Sequence, residues 1–127
     1  MAFFTGHNVC MSVITVTHDS FESVTSLPGI VFIDCWASWC PPCRKFSPIF
    51  EKAADTHPDI TFGTIDTEKE QRLAADLMIT SIPTIMAFRD GILIYSQPGA
   101  MGAADFEKLI SQVQAIDMEK VRAELKQ

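Results

Sequence analysis

Ile30-Val31-Phe32-Ile33-Asp34-Cys35-Trp36-Ala37-Ser38-Trp39-Cys40-Pro41-Pro42-Cys43 decides how this chain folds. Residues 30–36 are a nearly continuous apolar run with Asp34 as its single charge, which fits a central strand buried on both faces. Cys40 and Cys43 then flank two prolines, a spacing at which two thiols can close a tight disulfide without moving the rest of the fold. A helical pattern follows from about Pro42 to Thr56, because Phe46, Ile49, Phe50 and Ala53 recur at i, i+3, i+4 and i+7. Pro48 falls inside that pattern and is expected to kink the helix. A thiol at a helix N-terminus has its anion favoured by the dipole, so it can attack another disulfide at neutral pH. The stretch therefore points to thiol–disulfide exchange.

Working outward, Ser12–Val16 reads as a first strand behind a flexible tail of residues 1–11. Thr17, Asp19 and Ser20 offer an N-cap for a short helix near Phe21–Ser26, and Pro28-Gly29 is a turn. Downstream, Thr61–Ile65 is β-rich, and Glu68–Leu77 reads as a helix with Leu73, Ala74 and Leu77 on one face. Strands over Thr84–Phe88 and Ile92–Tyr95 are joined by the hairpin turn Arg89-Asp90-Gly91. Asp105–Gln114 is amphipathic, with Phe106, Leu109, Ile110 and Val113 inward. Asp117 is a plausible cap for a last segment carrying Met118, Val121 and Leu125. The order β-α-β-α-β-α-β-β-α predicts the α/β class, a mixed sheet of about five strands flanked by about four helices. The domain is expected over residues 12–116, with a C-terminal helical extension over 117–127.

Bulk properties narrow the function. A chain of 127 residues with 47% hydrophobic and 20% charged residues is one ordinary globular domain. A net charge of −6 disfavours nucleic acid or an anionic membrane as the main partner. Four cysteines are too few for a disulfide-built scaffold. Met1–Asn8 has no basic start or long apolar stretch, and no run of about 18 apolar residues occurs. The expected location is therefore the reducing cytoplasm.

These residues carry a resemblance. Asp34-Cys35-Trp36-Ala37-Ser38-Trp39-Cys40-Pro41-Pro42-Cys43, Pro48, Ser81-Ile82-Pro83-Thr84, Gly91 and Pro98-Gly99-Ala100 together make the chain similar to the thioredoxin family over roughly residues 13–115. A lone CxxC pair also serves zinc sites. The same pair after a buried strand, followed downstream by Ile-Pro-Thr, is far more specific. The resemblance implies a thioredoxin fold and an enzyme that reduces protein disulfides through a Cys40/Cys43 dithiol–disulfide cycle, with no bound cofactor and no metal. Electrons would come indirectly from NADPH through thioredoxin reductase. That reductase and disulfide-containing client proteins would be the partners of a monomer. Pro83 resembles the family's cis-proline, and the Ile82 backbone would pair with an extended client segment. Trp39, Ile82, Pro83, Gly99 and Ala100 would form an apolar patch around Cys40, with Trp36 supporting the active-site loop.

Local chemistry separates the two thiols. Pro42 steers Pro41, and Pro41 steers Cys40, away from helical geometry, so the helix should begin just after Cys40. Cys40 is then the exposed attacker near free N–H groups, and Cys43 the more buried resolver. Asp34 on its buried strand should have a raised pKa and accept the proton of Cys43, the role the resemblance also implies.

The chain departs from the family pattern in three places. Pro41-Pro42 replaces the usual Gly-Pro, stiffening the loop and removing an N–H, so the redox potential does not carry over. The position often held by a lysine near the buried aspartate falls on Thr64, leaving Asp34 without a cation. Cys35 stands where an aromatic residue is common and reads as a small buried hydrophobe. Cys10 reads as a free thiol in the tail, and His7, His18 and His57 complete no zinc spacing with Cys40 and Cys43. Two other readings remain at this level: an exported thiol oxidoreductase that oxidises or matures proteins, and a thioredoxin-fold binding module whose cysteines serve structure.

Overall fold

The computed structural model describes residues 12–126; the tail with His7 and Cys10 lies outside them. Its elements are β1 (Val13–Thr15), α1 (Phe21–Thr25), β2 (Ile30–Trp36), α2 (Pro41–Thr56), β3 (Thr61–Asp66), α3 (Gln71–Asp76), β4 (Thr84–Arg89), β5 (Ile92–Pro98), α4 (Ala103–Gln114) and α5 (Met118–Leu125). The five strands form one mixed sheet in the order β1-β3-β2-β4-β5. β3 runs parallel to β1 and β2, whereas β4 is antiparallel to β2 and β5. The apolar run 30–36 is thus the central strand.

Alternation along β2 sorts its side chains onto two cores. Phe32 joins Phe62, Ile85 and Ala87 beneath α2 and α4, where Phe46, Phe50, Phe106 and Ile110 are almost fully buried. Val31, Ile33 and Cys35 face the other way, with Ile65, Met86, Phe88 and Leu73 of α3, against Phe21 and Val24 of α1. Gly63 lies on that second face because a Cβ there would stand 2.7 Å from Val16 Cγ2 and 3.2 Å from Ile33 Cδ1. The β4–β5 turn needs left-handed residues, and Asp90 (φ 52°) with Gly91 (φ 82°) supplies them.

Several boundaries differ from the sequence reading. α2 starts at Pro41, just after Cys40 as expected, but Pro41 is itself helical and is not steered out of helical geometry by Pro42, because a proline's fixed φ and missing N–H suit the first helical position. The helix runs on past Pro48, which has no N–H to donate to the Arg44 carbonyl. α3 starts at Gln71, not Glu68, because the Asp66 carboxylate accepts the backbone N–H groups of Glu68 (3.0 Å) and Lys69 (3.3 Å) and holds a turn there. Ser20 precedes α1 but does not cap it with its side chain; its hydroxyl instead accepts the Thr17 N–H at 2.9 Å. The last segment forms a separate fifth helix, capped by Asp117 through the N–H groups of Glu119 and Lys120. Arg89 at the end of β4 donates to the carbonyls of Val113, Gln114 and Ile116, satisfying the end of α4.

Candidate functional site

The site forms where β2 ends and α2 begins. Trp36 is fixed by Thr67, whose N–H and hydroxyl donate to the Trp36 carbonyl at 2.9 and 3.0 Å. A tight turn follows, in which the Cys40 N–H donates to the Ala37 carbonyl at 3.2 Å. The Arg44 guanidinium clamps the turn through the Ser38 carbonyl at 2.9 and 3.1 Å. Cys40 is extended (φ −97°, ψ 107°), the geometry a residue before proline adopts, and it is the N-cap of α2. Its sulfur accepts the Cys43 N–H at 3.3 Å. Pro41 and Pro42 have no N–H, so Cys43 carries the first donor of the helix.

Cys40 and Cys43 are joined by a disulfide. The expected contrast in exposure is absent: Cys40 is 3% exposed and Cys43 2%. The capping geometry turns the Cys40 sulfur back over the first helical turn and to 3.8 Å from the Ile82 carbonyl oxygen. Trp39, 62% exposed, and the prolines between the sulfurs carry the outer surface instead.

The loop facing the disulfide is built by β4 and β5. The Ile82–Pro83 peptide bond is cis. The Pro83 carbonyl accepts the Gly99 N–H at 2.8 Å, and Gly99 (φ 112°) has a backbone that glycine tolerates best. Gly99 and Ala100 are exposed and Ile82 half-buried, whereas Pro83 is buried and lies beneath the surface rather than in a patch on it.

Behind the disulfide lies a cavity of about 280 Å³. Asp34, Trp36, Cys43, Ser47, Glu51 and Thr64 are among its lining residues. Asp34 is 2% exposed, and its Oδ1 has no hydrogen-bond partner among the described residues. Burial pushes its carboxyl from 3.8 up to about 7. Thr64 is the register partner of Asp34 across β2 and β3. Burial, and secondarily the Asp34 charge, pushes the fully buried Cys35 thiol up to about 12, which keeps it neutral and inert. The sequence reading missed Ser47 and Glu51 as cavity residues. Their spacing from Cys43, at i+4 and i+8 along α2, is the signal that would have found them. Among the described residues no group of three or more His, Cys, Asp or Glu side chains is placed to hold a metal, and no helix is long and apolar enough to cross a membrane.

A redox-capable CxxC disulfide on this sheet order has clear counterparts in known proteins. The family model described as thioredoxin matches residues 12–115. The chain belongs to the thioredoxin family. A protein of Streptomyces coelicolor provisionally named thioredoxin 2 is 40% identical over 111 residues, covering 87% of this chain and 83% of that protein. The thioredoxin of Mycobacterium bovis is 34% identical over 102 residues, covering 79% and 88%. Among solved structures, Malassezia sympodialis thioredoxin superposes with a TM-score of 0.72 at 31% identity, covering 81% of this chain and 91% of that one. As a thioredoxin-family member with an intact Cys40–Cys43 pair, the protein is a thiol–disulfide oxidoreductase.

Proposed function

We propose that the protein works as a reductase of protein disulfides, with Cys40 as nucleophile, Cys43 as resolver and Asp34 as proton acceptor. One observation carries this reading: the Cys40 sulfur caps α2 beside the Ile82 carbonyl, while Cys43 shares a cavity with the buried Asp34, whose Oδ1 has no hydrogen-bond partner among the described residues. The Cys40 thiolate attacks one sulfur of a client disulfide. A mixed disulfide forms, and the second client sulfur leaves as a thiolate. Cys43 gives its proton to Asp34, directly or through water, and its thiolate attacks the Cys40 sulfur. The mixed disulfide breaks, the Cys40–Cys43 disulfide forms, and the client has gained two electrons. A carboxyl that titrates near pH 7 is matched to that transfer at neutral pH.

The small exposure of Cys40 requires the client to dock closely as an extended segment. The Ile82 backbone beside the sulfur, with Gly99, Ala100 and Trp39 around it, is suited to receive one. Pro83, beneath that surface, supports the loop, and Pro41 and Pro42 hold the sulfurs' connection rigid. The electron source in this reading is NADPH through a thioredoxin reductase. The setting is a monomer in the cytoplasm, where reduced thiols prevail.

Insulin reduction measured with reductase and NADPH, and separately with dithiothreitol, tests the reading. Turnover in both is expected. Activity with dithiothreitol alone would favour an exported oxidoreductase, and activity in neither a binding module. Cys43→Ser should accumulate mixed disulfides with clients; a variant that traps none would remove Cys43 from the resolving role.

A further inference from the structure

The cavity behind the disulfide joins three features. It contains a carboxylate whose Oδ1 is buried with no partner among the described residues. Its volume of about 280 Å³ compares with roughly 30 Å³ for a water molecule in the liquid. Its walls carry further oxygen acceptors on two other elements, Thr64 on β3 and Ser47 with Glu51 on α2, where the Ser47 hydroxyl donates to Glu51 at 3.4 Å.

The charged and titratable groups around Asp34 leave its negative charge unanswered. Cys35, next along β2, is a neutral thiol packed on the opposite face of the sheet. Cys43 is tied up in the disulfide, and the β3 and β4 register partners are Thr64 and Ile85. From α2, Glu51 adds negative charge to the lining. Arg44, the one cation lining the cavity among the described residues, is committed to the Ser38 carbonyl through two nitrogens and does not move the Asp34 titration. Burial alone opposes ionisation of this carboxyl, so a cation that fits would recover the interaction water no longer provides.

We propose that this cavity binds a small primary ammonium cation, with the Asp34 carboxylate as its main partner and the oxygens of Thr64 and Ser47 as further acceptors. A primary ammonium has three donors on a compact charge, matching the acceptors that three elements contribute to the lining. A free amine and a lysine side chain of a client present the same head, and the recognising chemistry is the same. Binding holds Asp34 ionised at lower pH. If Asp34 accepts the proton of Cys43 as proposed above, occupancy also extends resolution of the mixed disulfide to lower pH. The binding itself does not depend on that role.

The test follows the Asp34 carboxyl carbon by NMR across pH in the oxidised full-length protein. Additions are methylammonium chloride, a lysine blocked at both its α-amino and carboxyl groups, tetramethylammonium chloride and sodium chloride, all at equal ionic strength. Methylammonium, the blocked lysine or both should move the half-titration of Asp34 saturably to lower pH by about one unit, a tenfold preference for the ionised form. Tetramethylammonium, which has no N–H, should act no more strongly than sodium. A response to methylammonium alone assigns the site to free amines, and one to the blocked lysine assigns it to side chains. Equal effects from all four salts, or no saturable effect, would overturn the proposal. Thr64→Leu, which fills the cavity and leaves Asp34 in place, should abolish the ammonium-specific shift, as should Asp34→Asn when cavity-lining amide signals are followed instead. Persistence of the shift in Thr64→Leu would also overturn it.

Discussion

Phe32 and Asp34 stand two residues apart on the same face of β2, yet they meet opposite surroundings. Phe32 faces Phe62 across the sheet, with stacked ring centroids 5.8 Å apart, and Phe106 of α4 closes edge-on at 5.4 Å. Asp34 faces Thr64, and the space above the pair is a cavity. One strand therefore passes from a filled layer to an empty one within a single pleat repeat. The aromatic layer supplies stability, and the rigidity it gives β2 and α2 lets the next layer hold a buried carboxylate without collapsing onto it. A packed layer and a cavity with a buried carboxyl are separated along the strand by the choice of cross-strand partner: phenylalanine at 62, threonine at 64.

Substitutions in the two layers should have opposite signs. Phe32→Ala removes the centre of the aromatic layer and should cost about 3–5 kcal/mol in denaturant unfolding. A loss under 1 kcal/mol would show that the layer is not tightly packed.

Asp34→Asn should instead stabilise the protein, and the gain should depend on pH. The folded carboxyl titrates near 7 and the unfolded one near 3.8, so between those values the folded state holds the extra proton. Wild-type stability therefore falls as pH rises from about 4 to about 7 and levels off above. That interval corresponds to about 4 kcal/mol, the upper limit of the gain for Asp34→Asn at pH 8, with little gain at pH 4. A pH-independent difference between the two proteins would contradict a buried ionised carboxylate.

Thr64→Lys fills the empty layer with a cation. It should lower the Asp34 titration by about 1–2 units, read from its carboxyl NMR signal, because an opposite charge at this range favours the anion. An unmoved titration would mean that the lysine turns out to solvent. The smallest effect is expected at the rim of the cavity layer. Pro41→Gly returns an N–H to the mouth of α2, which favours the Cys40 thiolate and so the reduced form. The reduction potential should rise by about 20 mV, equivalent to about 1 kcal/mol, in equilibrium with glutathione. No change would show that Cys43 N–H alone sets the thiolate's stability.

Much of the filled layer is legible in the sequence. The spacing of Phe46, Phe50 and Ala53, and of Phe106, Leu109, Ile110 and Val113, marks the buried faces of α2 and α4, and these residues are buried in the structure. The burial of Asp34 follows from the apolar run around it. β3 reads less clearly because Gly63 interrupts its pattern, and the reason for a glycine there is Val16 and Ile33 across the neighbouring strands, a relation no local pattern encodes. The onset of α3 shifts because the Asp66 side chain competes with the helix for backbone donors. The burial of Cys40 depends on a loop more than 40 residues away in the chain, at Ile82. A cavity is the hardest feature to read, since it is defined by what Thr64, Ser47 and their neighbours fail to fill.

Arg89 and Asp90 have a practical consequence at the other end of β2. Arg89 pairs with Ile30 at the start of the strand, and Asp90 holds both the Gly29 N–H and the Arg122 guanidinium of α5. The seven residues of β2 set this junction about 20 Å from the disulfide end. Cargo joined beyond α5, whether a solid support, a dye or a second enzyme, would load the fold at its stitched end and leave the disulfide end unobstructed.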